Sequence, residues 1–398
     1  MNAALYLHIP FCTKRCGYCD FYTVSDRGTA IPAYLDAMKN ELRLYSRDLC
    51  VSALTFETIF LGGGTPSLLS AKQLGALIEL MATLFKFAKS PEITVETNPG
   101  TVTLAKLRDF RQVGINRLSL GLQSFHESEL AFLERNHSKK TGIESFHFAR
   151  KAGFDNISVD LIYALPGQSI DAWQENLTCA VQLQPNHISA YNLTFETGTP
   201  LTNRLQRGDF KNPPEEAQRN MHLLTIDFLQ DAGYFQYEIS NYAKTDFESR
   251  HNQKYWDGSP YIGVGASAHS FLQNKRFWNI RNYSQYIQML KNKQLPVEGG
   301  ETLKQETLFF EKIYLGLRQK KGVYLHSFQK QFGISLLKRY AKPLKKFFDS
   351  SFENQSLIND LTDGRSSLSG KYLMIDRGFL KLTNDGIVVC DAILTEFV

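Results

Sequence analysis

Hydrophobic positions in the first half of the chain fall into short runs separated by stretches of helical spacing. The runs at 5–9, 58–61, 93–96, 117–120, 157–161 and 187–191 combine leucine, β-branched and aromatic residues, the pattern of buried or half-buried strands. Between them, segments such as 32–45 and 71–85 bring apolar residues round every three or four positions, which predicts helices with one apolar face. Six strands alternating with helices predict an α/β fold, a partial (β/α)6 barrel of TIM type around a parallel sheet. In such folds chemistry gathers at the carboxyl ends of the strands. The cysteines of the first loop, a glycine triplet, Glu96, Gln123 and Asp160 all fall at or just beyond predicted strand ends.

The pattern changes after 232. A helix over 214–232 opens on Pro213-Pro214-Glu215-Glu216 and closes on Gly233, as start and stop signals require. From 234 to 278 the chain is rich in Tyr, Trp, Asn, Gly and Ser, which suits extra strands and loops closing one side of the barrel. A boundary follows near Glu298-Gly299-Gly300, then a strong helical pattern over 303–319, and Asn384-Asp385-Gly386 predicts a tight turn near the end. The expected organisation is a core barrel over 1–232, a barrel-closing region over 233–298 and a small winged-helix-like domain over 299–398.

With 398 residues, 43% hydrophobic and 21% charged, the chain can bury a full-size core. A net charge of +5 spread along the sequence gives no stripe for nucleic acid. No apolar run has the length of a membrane span, and the first ten residues lack a basic region and a small-residue cleavage site, so the expectation is a cytoplasmic protein. Cys50, Cys179 and Cys390 are scattered and read as packing residues, not as a disulfide framework.

Cys12, Cys16 and Cys19 are different, because three thiols share one short loop leaving a strand. They can bind three corners of a 4Fe-4S cubane and leave one iron without a protein ligand, a binding position for the amino and carboxylate groups of a small molecule. Zinc on the same thiolates is the rival and would need a fourth donor, for which His8 is the nearest candidate. Gly62-Gly63-Gly64-Thr65-Pro66 after the second strand lets backbone approach a ligand closely. Glu96 ends the third strand, where a carboxylate can accept from an ammonium or from ribose hydroxyls.

Taken together, Tyr6-x-His8-Ile9-Pro10-Phe11-Cys12-x3-Cys16-x-Tyr18-Cys19-Asp20-Phe21, the Gly-Gly-Gly-Thr-Pro-Ser and Glu-x-Asn-Pro segments, Arg117-Leu118-Ser119-x-Gly121-x-Gln123-Ser124, Arg135-x-His137 and Asp160-Leu161-Ile162-Tyr163-x-Leu165-Pro166-Gly167-Gln168 resemble the radical S-adenosylmethionine superfamily, in its coproporphyrinogen-dehydrogenase-like branch. The resemblance covers nearly the whole chain. It implies that S-adenosylmethionine is touched by Tyr6, Gly63, Gly64, Thr65, Glu96, Gln123, Arg135 and Asp160, with Thr194 and His269 at further positions lining the site. Arg135 suits the cosubstrate's carboxylate, and Asp160 a hydroxyl or amine.

The dehydrogenases of this branch carry a further cysteine where this chain has Phe21, and an extension before the first strand. His251-Asn252-x-x-Tyr255-Trp256 instead resembles the motif of the branch's haem chaperones. Imidazole is a good axial ligand for haem iron, and Tyr and Trp can pack a flat macrocycle. A histidine between aromatics that merely packs the barrel has the same residues. The resemblance implies a haem chaperone without dehydrogenase activity that binds a 4Fe-4S cluster, S-adenosylmethionine and haem and passes haem to acceptor haem proteins, respiratory ones among them. An electron donor such as flavodoxin or ferredoxin follows if the cosubstrate is cleaved, and the resemblance allows a homodimer. Oxygen-independent oxidative decarboxylation of coproporphyrinogen III is the alternative activity.

Overall fold

The computed structural model describes residues 1–25, 28–349, 352 and 354–397. Each predicted strand is found and extends beyond its predicted run: β1 (Asn2–Ile9), β2 (Thr55–Gly63), β3 (Lys86–Thr97), β4 (Arg117–Gln123), β5 (Asn156–Tyr163) and β6 (His187–Asn192). The reason is visible in the alternation. Leu5, Leu7, Ile59, Leu61, Ile93, Val95, Leu118, Leu120, Ile157, Val159 and Ile188 are buried in one core, with helices such as α1 (Ile31–Tyr45), α2 (Ala71–Leu84), α3 (Leu104–Gln112), α4 (Lys139–Lys151) and α5 (Ile170–Gln182) supplying buried residues to it. The residues between them, Tyr6, His8, Thr58, Thr94, Glu96, Arg117, Ser119, Ser158, Asp160 and His187, occupy the opposite, inner face, because successive side chains of a strand point to opposite sides. The inner face is therefore polar, where a barrel filled for packing alone carries branched apolar layers.

Strands β7 (Tyr261–Val264), β8 (His269–Leu272), β9 (Lys275–Asn279) and β10 (Val297–Thr302) extend the sheet, in which β10-β9-β8-β7-β1-β2-β3-β4-β5-β6 run consecutively and the short strands Asn241–Ala243 and Phe235–Glu238 follow β6. Strand β7 is parallel to β1, aligning Tyr6 with Gly263, and the three that follow are antiparallel. Among the described residues β6 and β10 do not pair, so the barrel is open. The expected closing region thus includes a parallel strand too short to stand out in the sequence.

The described chain divides into two compact units. The first comprises Met1–Phe235, Tyr242–Lys254 and Ser259–Thr302, and the second Gln236–Asn241, Tyr255–Gly258 and Leu303–Val398. In the second unit a core of its own includes Phe309, Ile313, Phe328, Leu361, Leu373 and Leu380. Its small sheet joins β11 (Val323–Tyr324), β12 (Leu368–Ser369), β13 (Leu373–Asp376) and β14 (Phe379–Leu382) in the order β11-β14-β13-β12. The tight turn expected at Asn384-Asp385-Gly386 is not a turn. Those residues begin the helix Asn384–Val388, with the Thr383 side chain accepting from the Gly386 N–H, so the cap takes the polar run into a helix start. The hairpin turn lies at Arg377 and Gly378, both with positive φ. No described helix is long and apolar enough to cross a membrane.

Candidate functional site

The cluster loop leaves β1 through the two-residue strand Phe11–Cys12, which pairs in parallel with Val24–Ser25. This pairing returns the loop on itself and gathers its cysteines. The Cys12 thiol is buried and accepts from Thr65 Oγ1 at 3.4 Å. Arg135 Nη1 points at Cys16 Sγ, 3.6 Å away, and the Cys16 carbonyl accepts from the Cys19 N–H. Arg15 Nη2 holds the Cys19 carbonyl at 2.9 Å. Burial pushes the Cys12 thiol up and that of Cys19 up to about 11, with the neighbouring sulfurs adding to the shift. A metal that binds here must displace protons.

Among the described residues no three His, Cys, Asp or Glu side chains converge on a point as one metal ion requires. A zinc site needs that convergence, with four donors on a single ion. In a cubane each thiolate instead binds a different iron. His8, the candidate fourth zinc donor, is committed elsewhere: its Nδ1 pairs with Tyr6 Oη at 2.9 Å and its Nε2 with the Tyr22 carbonyl at 2.8 Å. Burial lowers its pKa to about 4, so the ring is neutral and can only donate to that carbonyl through Nε2, which leaves Nδ1 to accept from Tyr6.

The glycine triplet lies against the same loop. A Cβ on Gly63, whose φ is +109°, would sit 2.6 Å from His8 Cε1, and one on Gly64 would sit 2.7 Å from the Pro10 carbonyl and 2.8 Å from that of Phe11. The expected close approach is real, and the approaching partner within the fold is the chain's own cluster loop. The Gly63 N–H donates to Glu96 Oε2 at 2.9 Å. Burial raises the Glu96 carboxyl to about 7, with repulsion from Asp160 contributing. Asp160 is gripped by three hydroxyls that the sequence reading passed over: Ser119 at 2.6 Å on Oδ2, and Ser189 at 2.7 Å and Ser158 at 3.0 Å on Oδ1. All three stand on inward positions of β4, β5 and β6, so strand parity alone marks them.

Gln123 ends β4 with a φ of +66°. Arg135 donates through Nη2 to the Gly121 carbonyl at 3.0 Å, while its buried Nε has no hydrogen-bond partner. A guanidinium fixed at two corners with an unpaired inner N–H is a ready donor to a carboxylate. Gly63, Gly64, Thr65, Glu96 and Gln123 thus stand at or next to the carboxyl ends of β2 to β4, Tyr6 and Asp160 lie three residues inside the ends of β1 and β5, and Thr65 and Arg135 reach the cysteines. Thr194 lies exposed two residues beyond β6. His269 opens β8, exposed and stacked on Trp278 with centroids 5.8 Å apart.

His251 neighbours one member of this group, its ring centroid 6.4 Å from that of Tyr6. Helix α6 (Arg250–Asp257) directs its first N–H groups, of Arg250 and His251, to the Glu92 carboxylate at 3.1 Å each. The His251 ring is buried, bonded through Nδ1 to Thr58 Oγ1 at 2.8 Å, stacked on Phe60 at 4.9 Å, and pulled down to about 3 by burial and by Arg117. Tyr255 and Trp256 fall in the second unit, where Gln319 donates to the Trp256 carbonyl at 2.9 Å. Of the scattered cysteines, Cys390 is buried and Cys179 half-buried, but Cys50 is exposed. It sits on the short helix Leu49–Ser52 outside the core, with Gln273 Nε2 at 3.3 Å, and is no packing residue.

Residues 6–180 match the radical SAM superfamily model and 303–389 the HemN C-terminal domain model. The chain is 35% identical to the "Heme chaperone HemW" of Lactococcus lactis, over 89% of this chain and 90% of that protein. It is 34% identical to that of Bacillus subtilis, over 88% and 92%. A solved structure described as coproporphyrinogen III oxidase (HemN) from Escherichia coli, a radical SAM enzyme, shares the fold with a TM-score of 0.81 at 23% identity, over 99% of this chain and 89% of that one. With three thiols on one loop and this likeness along most of its length, the chain belongs to the HemW haem-chaperone family of the radical S-adenosylmethionine superfamily.

Proposed function

We propose that this chain is a cytoplasmic haem chaperone that carries a 4Fe-4S cluster on Cys12, Cys16 and Cys19, holds S-adenosylmethionine beside it, and passes haem to acceptor haem proteins. The observation that carries the reading is likeness to haem chaperones over nearly the full chain, together with Phe21 where the branch's dehydrogenases have a cysteine. A cluster bound there supplies an iron without a protein ligand, to which the cosubstrate's amino and carboxylate groups can attach.

The chain's own residues set the rest. Arg135 orients a carboxylate through its unpaired Nε–H. Asp160, locked by Ser119, Ser158 and Ser189, presents a fixed acceptor for a hydroxyl or an ammonium. The Gly63 N–H holds Glu96 in place. Any electron needed to cleave the cosubstrate would come from a flavodoxin or ferredoxin. For haem, His251 is the proposed axial ligand, with Tyr255 and Trp256 as packing rings. Its ring is neutral, as ligation requires.

The test is anaerobic reconstitution followed by haem titration, watched in the Soret band. Wild-type protein should bind haem, and His251→Ala should bind it at least tenfold more weakly while the cluster spectrum stays unchanged. Equal affinity removes His251 from the site. Conversion of coproporphyrinogen III to protoporphyrinogen by the same preparation would overturn the chaperone reading in favour of the dehydrogenase.

A further inference from the structure

Parallel register places Thr94 of β3, Arg117 of β4 and Asn156 of β5 side by side. All three are on the inner face, two positions below Glu96, Ser119 and Ser158. Arg117 is 2% exposed. Among the described residues it has no hydrogen bond or ion pair, and its Nε, Thr94 Oγ1 and Asn156 Oδ1 are all buried polar atoms without a partner. Three adjacent unpaired groups in one row of three strands form a pattern, because buried polar groups are nearly always satisfied.

Among the described residues no carboxylate pairs with the guanidinium. Glu92 lies two residues below Thr94, but its carboxylate receives the Arg250 and His251 N–H groups at 3.1 Å. His187 and His251, the other titratable side chains facing Arg117, are neutral, and their Nδ1 atoms are engaged by Ser158 at 2.7 Å and Thr58 at 2.8 Å. A buried cation is costly unless an anion pairs with it directly, and water can solvate it without neutralising it.

We infer that Thr94, Arg117 and Asn156 form a carboxylate-binding site on the inner face of the barrel, filled by a small free carboxylate or by a propionate arm of haem. The guanidinium fork matches the two oxygens of a carboxylate, the Thr94 hydroxyl donates from one side, and the Asn156 amide turns its Nδ2 inward from the other. The site differs from the Arg135 position, which lies beside Cys16 at the opposite end of the strands. Only the propionate source rests on the haem-chaperone reading.

The experiment uses the reconstituted full chain and two probes. Formate is titrated against chloride at constant ionic strength while the unfolding midpoint is followed, and haem is compared with haem dimethyl ester, whose propionates are blocked. A free carboxylate as occupant predicts that formate raises the wild-type midpoint and leaves Arg117→Met unmoved. A propionate as occupant predicts that wild type prefers haem to its ester by about ten- to a hundredfold, the range of a hydrogen bond to a charged group, and that Arg117→Met erases the preference. Thr94→Val keeps the charge and should weaken either response severalfold, which carries the test if Arg117→Met does not fold. Absence of both responses in wild type overturns the site. If wild type binds no haem, the chaperone reading fails by itself and the formate arm alone decides this one.

Discussion

Replacing Gly63 by alanine tests the link between barrel and cluster loop. The residue sits at φ +109°, where a side chain costs about 1–2 kcal/mol in backbone strain. Its new Cβ would lie 2.6 to 3.0 Å from three atoms of the His8 ring. That ring cannot simply turn away, because it is tied to Tyr6 Oη and to the Tyr22 carbonyl. Displacing it forfeits two hydrogen bonds at about 0.5–1.5 kcal/mol each, so the total is about 2–5 kcal/mol. Gly153→Ala is the control: φ is +89° there and nothing lies within 4 Å of the added carbon, so only the strain of about 1–2 kcal/mol applies. Urea unfolding of the apo chain gives the two stabilities, and iron and sulfide per chain after reconstitution report on the loop. Gly63→Ala should be the less stable variant by 1 kcal/mol or more and should load less cluster, on the order of half. Equal stabilities, or full loading in Gly63→Ala, would refute the claim that His8 and the glycine triplet position the cysteines.

Cys16→Ala should lose the cubane while the apo fold is kept, read from its visible absorbance, and a full cluster in that variant would contradict the ligand assignment. Arg135→Gln should weaken S-adenosylmethionine binding by about ten- to a hundredfold, measured by equilibrium dialysis, since it removes a charge-assisted hydrogen bond. The pH profile of the apo chain should combine two opposing sets. His8, His137 and His251, lowered to about 4, 4 and 3 by burial, contribute stability that is full above pH 6.5 and lost as pH falls toward those values. Glu41 and Glu238, raised to about 7 by burial, contribute stability that is full below pH 4.5 and lost as pH rises to 7. Glu96, also raised to about 7 by burial, joins the acids, so the two sets offset one another between pH 4.5 and 6.5 and each is read by difference against a variant. In a Glu41→Gln comparison, the stability of wild type relative to the variant should decline between pH 4.5 and 7, and a flat difference would show that Glu41 titrates normally.

The strands and the cysteine loop were legible in the sequence because each rests on a local rule: alternation of apolar positions, and thiol spacing within one loop. Asp160 was legible as a strand-end carboxylate, but its three serine donors were not singled out, although their inward parity follows from the same alternation. Glu41 gave no signal at all. It is a polar residue in the middle of α1, and only the fold brings to it the Gly265 N–H at 2.9 Å, Asn279 Nδ2 at 2.6 Å and the Tyr286 hydroxyl at 2.5 Å. His251 was marked by its motif, yet the sequence could not place its ring beside Thr58 and Phe60 on the inner face, because that depends on α6 capping onto Glu92, a partner 159 residues earlier. The turn at Asn384-Asp385-Gly386 was misjudged because Thr383 offers a helix cap that competes with a hairpin.

The most direct measurement is metal and sulfide analysis of protein purified and reconstituted without oxygen, with electron paramagnetic resonance of the reduced form before and after S-adenosylmethionine. The account predicts iron and sulfide in equal amounts, no zinc, and a cubane signal that changes when the cosubstrate is added. Zinc on the three cysteines, or a cluster signal indifferent to S-adenosylmethionine, would contradict it.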